Sequence, residues 1–317
     1  RGGRIPQGCN QQSAASEDKG FPQQDAVSIN RLHRAEGSER TVKMQKVREI
    51  VTNILKEHAV DTVYFVGCGG SLSGFFPAKY FLSCEAKKLK VGYINANEFV
   101  HATPKEIGAN AVVILASQRG DTAETVKACQ AANEKGAATV GLTFQVPSPL
   151  ADSAQHVILY EFGDDSIVEN QKTSYGFKMA LELLHQIEGY AGYDAMVKAL
   201  GSLNEIVVKA KKDIVPFAIK YAWEFKDDSV IYTMGSGPCW GSAHQESICI
   251  FMEMQWINSS VIHSGEYFHG PFEITDKNTA FLMMKATGRT RELDDRALNF
   301  INKFNNRCMV IDGLDYG

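Results

Sequence analysis

The 317-residue chain has no apolar run near the roughly twenty residues that a membrane-spanning helix needs. Its longest apolar stretches, such as Ala111 to Ala116, stop far short, and no uncharged hydrophobic segment opens the chain as a secretion leader would. A cytoplasmic protein with no membrane partner is expected. Charge of one sign is also lacking. Lys+Arg 33 against Asp+Glu 37 leaves a formal net charge of −4, and no basic run lies beyond the first forty residues, so no nucleic-acid partner is expected. Cysteines number only seven, an odd count with no C-x-x-C pair, and they sit mostly in apolar segments, which predicts reduced, packed thiols. The eight histidines never fall in H-x-x-x-H spacing, and the nearest two, His263 and His269, would lie across a turn; no metal site is expected. What remains is ordinary globular composition, 44% apolar and 22% charged, which excludes collagen, coiled coil and wholesale disorder. The length allows one or two domains.

Residues 1–43 are rich in Gln, Ser, Gly and charged residues, and their apolar positions show no period, so they read as a disordered or appended tail. Helical periodicity begins at Met44, with Val47, Ile50, Val51, Ile54 and Leu55 on one face. Short runs that are apolar throughout follow at Thr62 to Val66, Leu89 to Ile94, Ala111 to Ala116, Ala138 to Thr143 and His156 to Tyr160. Such runs belong to strands covered on both faces, and the stretches Leu72 to Lys87 and Thr122 to Lys135 are long enough for crossover helices, so a mostly parallel α/β sheet is predicted. Helical patterns around Ala180 to Ile187 and Leu203 to Val208 come next. Strand signals then restart at Ser229 to Met234, Ser260 to His263, Ala280 to Met284 and Arg307 to Ile311. Both halves enter a glycine turn from a strand: Gly67-Cys68-Gly69-Gly70-Ser71 in the first, Gly235-Ser236-Gly237-Pro238 in the second. Two similar three-layer α/β/α domains are expected, residues 44–200 and 201–317, with the boundary in the stretch Gly189 to Gly201.

A glycine-rich turn between a parallel strand and a helix presents free N–H groups at the positive end of the helix dipole, where anions bind. Gly67 to Ser71 has that context. It departs from the dinucleotide fingerprint, because Leu72 stands where the third glycine would be and Asn95 and Asn97 end the next strand in place of an acid. No Lys-Ser/Thr pair follows, so it is no nucleotide P-loop, and a tight turn needing small residues is the bland reading. The second signal is Ser117-Gln118-Arg119-Gly120-Asp121-Thr122, at the carboxyl end of the Ala111 to Ala116 strand and the start of another helix. Ligands in open α/β sheets bind at that edge. Gly69, Gly70, Ser71, Ser117, Gln118 and Thr122 are therefore expected to form a phosphate cage, and Arg119 could add a charge-assisted contact.

In the second half, Gly241 to Trp256 reads as a buried helix interrupted by Glu246 and Glu253, seven residues apart and so on one α-helical face. An acid carried into an apolar setting is either paired or raised in pKa; between Met252 and Met254, Glu253 is read as a general base, with an ion pair as the bland alternative. The punctuated segment His263-Ser-Gly-Glu-Tyr-Phe-His269-Gly-Pro-Phe-Glu-Ile274 places His269 on a loop of fixed geometry, where an imidazole could share proton transfer with Glu253.

Gly67-Cys-Gly-Gly-Ser71 with Ser117-Gln118-x-Gly120-x-Thr122 resembles the sugar isomerase (SIS) domain superfamily, and the resemblance runs from Met44 to the end of the chain. It implies that Ser71, Ser117, Gln118 and Thr122 hold the phosphate of a sugar phosphate and that Lys172, at a helix start, lines the same pocket. Glu253 with Gly265-Glu266-x-x-His269-Gly270-Pro271 is similar to the isomerase part of glucosamine-fructose-6-phosphate aminotransferase, which implies a proton-shuttling glutamate and a ring-opening histidine from a neighbouring subunit. The longer run Ser247 to Ile257 with His263 to Asp276 is closer to the fructosamine 6-phosphate deglycases, which cleave a phosphorylated Amadori product to glucose 6-phosphate and a free amine. The implied enzyme is a homodimer or higher homo-oligomer without cofactor, because the substrate's own nitrogen stabilises developing charge. Lys172, Arg119 and Glu246 stand as further candidate substrate contacts. Ile250 occupies the place of a lysine in the aminotransferase helix, and no glutaminase segment is present, which disfavours ammonia-dependent synthesis. The resemblance also predicts a C-terminal helix and tail beyond Gly317. Aldose-ketose isomerisation, a glucosamine-6-phosphate isomerase/deaminase-like reaction and a non-catalytic phosphosugar-binding regulator remain alternatives.

Overall fold

The apolar runs form strands within two residues of their expected ends, in a computed structural model that describes residues 38–305 and 307–316. Strands β1 (Thr62–Gly67), β2 (Lys90–Asn95), β3 (Ala111–Ala116), β4 (Ala138–Thr143) and β5 (His156–Leu159) make one parallel sheet in the order β2-β1-β3-β4-β5. Every residue of β3 and β4 is buried, as helices on both faces require. Alternate residues of β3 serve opposite faces. Val112 and Ile114 pack with Val47, Ile54, Leu82, Met179 and Leu183, while Val113 and Leu115 pack with Phe99, Ala128 and Cys129. Burying such a side chain contributes about 1.5–3 kcal/mol, so this double-sided core is the first lobe's main stabilisation.

Strands β6 (Val230–Gly235), β7 (Asn258–His263), β8 (Ala280–Lys285) and β9 (Cys308–Asp312) form a second parallel sheet in the order β7-β6-β8-β9. That order repeats β2-β1-β3-β4, so the expected duplication is present in the topology. Helices Tyr193–Leu200, Leu203–Asp213 and Val215–Phe225 connect the two lobes. No helix among the described residues is long and apolar enough to cross a membrane.

Three local expectations change. The helix expected from Met44 is Ser38–Glu57; each added residue of a helix gains a hydrogen bond whether or not it has an apolar face, so periodicity starts later than the helix does. Of the expected tail 1–43, residues 1–37 lie outside the described residues. The crossover expected over Leu72 to Lys87 divides into Gly69–Ser73 and Phe76–Glu85, because Pro77 has no N–H to continue the preceding turn and instead suits the first turn of a new helix. Cys84 is exposed, while the other described thiols are buried or half-buried and all are free.

The lobes meet closely at Gly241. A Cβ there would stand 2.4 Å from Phe76 Cβ and 2.9 Å from the Ser73 carbonyl oxygen. Glu85 and Arg289 form an ion pair across the same seam at 2.5 Å. Gly241→Ala is expected to cost about 1–3 kcal/mol of stability by overpacking. The check is a lowered urea midpoint at unchanged slope; an unmoved midpoint would mean the seam yields freely.

Candidate active site

Strand β1 is flanked by β2 on one side and β3 on the other, so the chain reverses its direction of sheet growth between β1 and β3. Crevices of this kind, outside the carboxyl ends of the strands, are where open α/β sheets bind ligands. Gly67 pairs in register with Ala116, which places the two expected turns side by side. From β1, Gly69 takes φ +50° and starts the short helix Gly69–Ser73, leaving Ser71 half-buried at the crevice. From β3, Ser117 is buried and its hydroxyl lies 2.8 Å from Thr122 Oγ1, while the Thr122 N–H donates to Ser117 Oγ at 3.3 Å. Gly120 closes this loop at φ +72°, and a Cβ there would meet Ser148 Oγ at 2.2 Å, so the turn admits only glycine. Gln118 is fixed through its backbone carbonyl, which accepts from Phe144 N at 2.8 Å, and its side chain is exposed.

The structure brings Lys172 to the same turns. It is the first residue of helix Lys172–Glu188, and its half-buried ammonium donates to the Gly70 carbonyl oxygen at 2.6 Å. Burial lowers its pKa to about 8, with Cys249 acting in the opposite direction. The second lobe contributes the facing wall. A Cβ on Gly70 would lie 3.4 Å from Gln245 Nε2 and 3.7 Å from Cys249 Sγ. The Cys249 thiol is pushed up by burial and further by the charge of Glu253, while the Gly70 N–H and Lys172 act to lower it. Glu253 is thus linked electrostatically, through Cys249, to the Gly69–Gly70 turn. Gln245 and Cys249 were not anticipated from the sequence. Their signal was their spacing with Glu253 at i, i+4 and i+8.

The second-lobe helix departs from expectation. It is α-helical only over Trp240–Gln245 and then π-helical over Glu246–Met254, closing with Gln255 N to Ile250 O at 3.0 Å. The wider turn of i→i+5 bonding undoes the seven-residue coincidence of an α-helix, so Glu246 and Glu253 do not share a face. Glu246 is half-buried, its pKa raised by burial, and its charge acts on Tyr221. Glu253 is exposed within this chain, as are Met252 and Met254, so the expected apolar burial of this acid is corrected. π-helical segments are often found at functional sites.

His269 is not beside Glu253. It lies exposed in the turn after β7, its N–H bonded to the Glu266 carbonyl at 2.9 Å. Around it, Tyr267, Phe268 and Phe272 pack with Met234 and Ile262 at the carboxyl ends of β6 and β7. Phe251, two residues before Glu253, packs instead with Ile231 near the start of β6. Alternate residues of β6, β8 and β9 divide between these two clusters, so the His269 turn and the segment before Glu253 pack on opposite faces of the second sheet. Among the described residues, no hydrogen bond or ion pair joins Glu253 to His269. Arg119 also stands apart, since it is exposed and paired with Asp121 at 3.1 Å.

Paired hydroxyls, a positive-φ glycine turn and a desolvated ammonium thus meet at one switch point of a two-sheet parallel α/β protein. Comparison with known proteins agrees. Residues 58–184 match the SIS domain model. The chain is 39% identical over 281 residues to the fructosamine deglycase FrlB of Bacillus subtilis, covering 88% of this chain and 85% of that one. It is 31% identical over 280 residues to a fructoselysine 6-phosphate deglycase of Escherichia coli, covering 84% and 77% of the two chains. A crystal structure from Salmonella typhimurium LT2, named provisionally as a phosphosugar isomerase, superposes with a TM-score of 0.86 at 52% identity, covering 87% of this chain and 83% of the other. The chain belongs to the SIS-domain family that includes these deglycases.

Proposed function

We propose that the protein is a fructosamine 6-phosphate deglycase, acting on a 6-phosphofructose-amine such as a 6-phosphofructose-amino acid. The observation that carries the reading is the meeting of the Gly69–Gly70 turn of one lobe with Gln245 and Cys249 of the other, the Cys249 thiol in turn feeling the charge of Glu253. Gly69, Gly70, Ser71, Ser117, Gln118 and Thr122 hold the phosphate, which places the opposite end of the sugar toward Glu253. Glu253 takes a proton from C1 of the ketosamine, leaving an enaminol, and the proton is returned at C2 to give an imine at C1. Water adds to that imine and expels the amine, leaving glucose 6-phosphate. The C2 carbonyl of the open-chain substrate takes up the electron pair released at C1, and the nitrogen then carries the imine, so no cofactor is required. His269 assists ring opening or hydrolysis. Because His269 and the segment before Glu253 pack on opposite faces of their own lobe's sheet, His269 acts on the Glu253 of a second copy, and the working unit is at least a homodimer. Residues 44–200 and 201–317 serve as the two SIS domains of this enzyme, which works in the cytoplasm.

The test is a product assay. Purified protein is mixed with a panel of 6-phosphofructose-amino acids, and glucose 6-phosphate release is followed. Release with stoichiometric free amino acid is expected. Release from fructose 6-phosphate instead would make the protein an aldose-ketose isomerase, and binding of sugar phosphates with no turnover of either class would make it a sensor.

A further inference from the structure

We infer that Lys172 is the counter-ion of the bound phosphate in this cage, and that Arg119 takes no part in holding the anion. The inference rests on the phosphosugar reading above and adds to it the charge that reading leaves unassigned. Arg119, the cation nearest in sequence to the cage, is spent on Asp121 at 3.1 Å and is largely exposed. Lys172 is placed differently. Its ammonium is drawn into the crevice and fixed on the Gly70 carbonyl at 2.6 Å, within the turn that carries Ser71. Among the described residues, it forms no ion pair with a carboxylate. Room has been made for its stem: a Cβ on Gly74 would stand only 2.8 Å from Lys172 Cε.

An ammonium taken out of water without an anion is unfavourable, and burial accordingly lowers this one to about 8. Nothing in the resting fold offsets that cost in full, since the Gly70 carbonyl is neutral and the Cys249 thiol has been pushed above its ordinary 9.0. A dianion arriving at the neighbouring hydroxyls would offset it through charge-assisted hydrogen bonds. The groups that face the ammonium are the Gly69–Gly70 turn, the Thr173 hydroxyl beside Gly74, Cys249 from the π-helical segment and, beyond the thiol, Glu253. A sugar phosphate is a dianion well below pH 8, its second ionisation lying near 6. Above pH 8 the free protein loses the lysine proton, and binding the phosphate then requires taking one up. Affinity for a phosphate ester should therefore fall as pH rises from about 8 to 10.

Binding of glucose 6-phosphate and of inorganic phosphate is measured by calorimetry and thermal shift on the full chain, alongside KM and kcat, for wild type, Lys172→Met and Lys172→Arg. Lys172→Met is expected to weaken both ligands and to raise KM by about 10- to 100-fold, the range of a hydrogen bond to a charged group, with kcat within about threefold. Without ligand it should melt above wild type, because an uncompensated buried charge is gone. Lys172→Arg should keep most of the affinity and lose the weakening between pH 8 and 10, since guanidinium does not titrate there. Wild-type phosphate affinity in Lys172→Met, or a pH slope that persists in Lys172→Arg, overturns the inference. Binding needs no turnover, so the two readings fail separately. If no ketosamine phosphate is cleaved but Lys172→Met loses phosphate, the deglycase reading falls and the counter-ion stands. Cleavage with unaltered phosphate binding gives the reverse.

Discussion

Replacing Glu253 with glutamine is expected to lower turnover of a 6-phosphofructose-amino acid by about 10²- to 10⁴-fold, the usual share of a positioned acid-base group. That corresponds to about 2.7–5.4 kcal/mol in the barrier. Glutamine keeps the shape and the hydrogen-bonding capacity of the side chain but cannot accept the C1 proton. The side chain is exposed in this chain, so the fold should survive the change, and circular dichroism and melting should match wild type. Binding of glucose 6-phosphate should also be close to normal, because the phosphate is held by the other lobe. Loss of kcat with retained affinity is the signature of a group acting in the transition state. Turnover within tenfold of wild type would remove Glu253 as the base. His269→Ala mixed with Glu253→Gln provides a companion measurement. If each active centre draws on two copies, a heterodimer of the two variants regains one intact centre.

The largest stability effect is expected in the second lobe. Asp312, at the end of β9, accepts from both nitrogens of the Arg291 fork at 2.7 and 2.6 Å, and it lies 3.2 Å from the Lys285 ammonium. Lys285 is nearly buried and is also paired with Asp295 at 2.6 Å. The Arg291 guanidinium first, and then the Leu314 N–H and Lys285, hold the Asp312 carboxyl far below the usual carboxylate range. Asp312→Ala leaves two cations sharing the one half-exposed carboxylate of Asp295. Breaking a buried pair on one side costs about 3–5 kcal/mol, and about 3 is expected here because Asp312 retains 16% of its side-chain surface. The pH dependence has a definite sign. A carboxyl whose folded pKa is depressed contributes its stability fully above the unfolded value of 3.8 and loses it as pH falls toward the folded value. The gap in urea midpoint between wild type and Asp312→Ala should therefore be constant from pH 5 to 7 and shrink below pH 4. Equal midpoints at pH 7 would show the network to be ornamental.

What the sequence disclosed and what it hid divide along physical lines. The strands were legible because burial on both faces leaves no polar alternation, and Ala111 to Ala116 and Ala138 to Thr143 coincide with β3 and β4 at both ends. The duplication was legible because both lobes leave a strand through Gly-x-Gly, and Gly69 and Gly237 do take nearly the same backbone angle, φ +50° and +51°. The hydroxyl pair of Ser117 and Thr122 was legible because a helix start constrains residues five apart. The π-helical turn was not, since nothing in the apolar pattern of Glu246 to Met254 distinguishes i→i+5 from i→i+4 bonding. That small change in winding parted Glu246 from Glu253 and turned the latter toward solvent.

The chain's own composition and local spacing determined the sheet type and the two turns, because strand burial, glycine turns and helix caps act over a few residues. The tertiary structure alone decided which charges meet. It tied Arg119 to Asp121, carried Lys172 across 102 positions to Gly70, set Cys249 between that lysine and Glu253, and put the His269 turn on the other face of the sheet from Phe251. Electrostatics depends on distance and solvation, and neither is written in sequence separation.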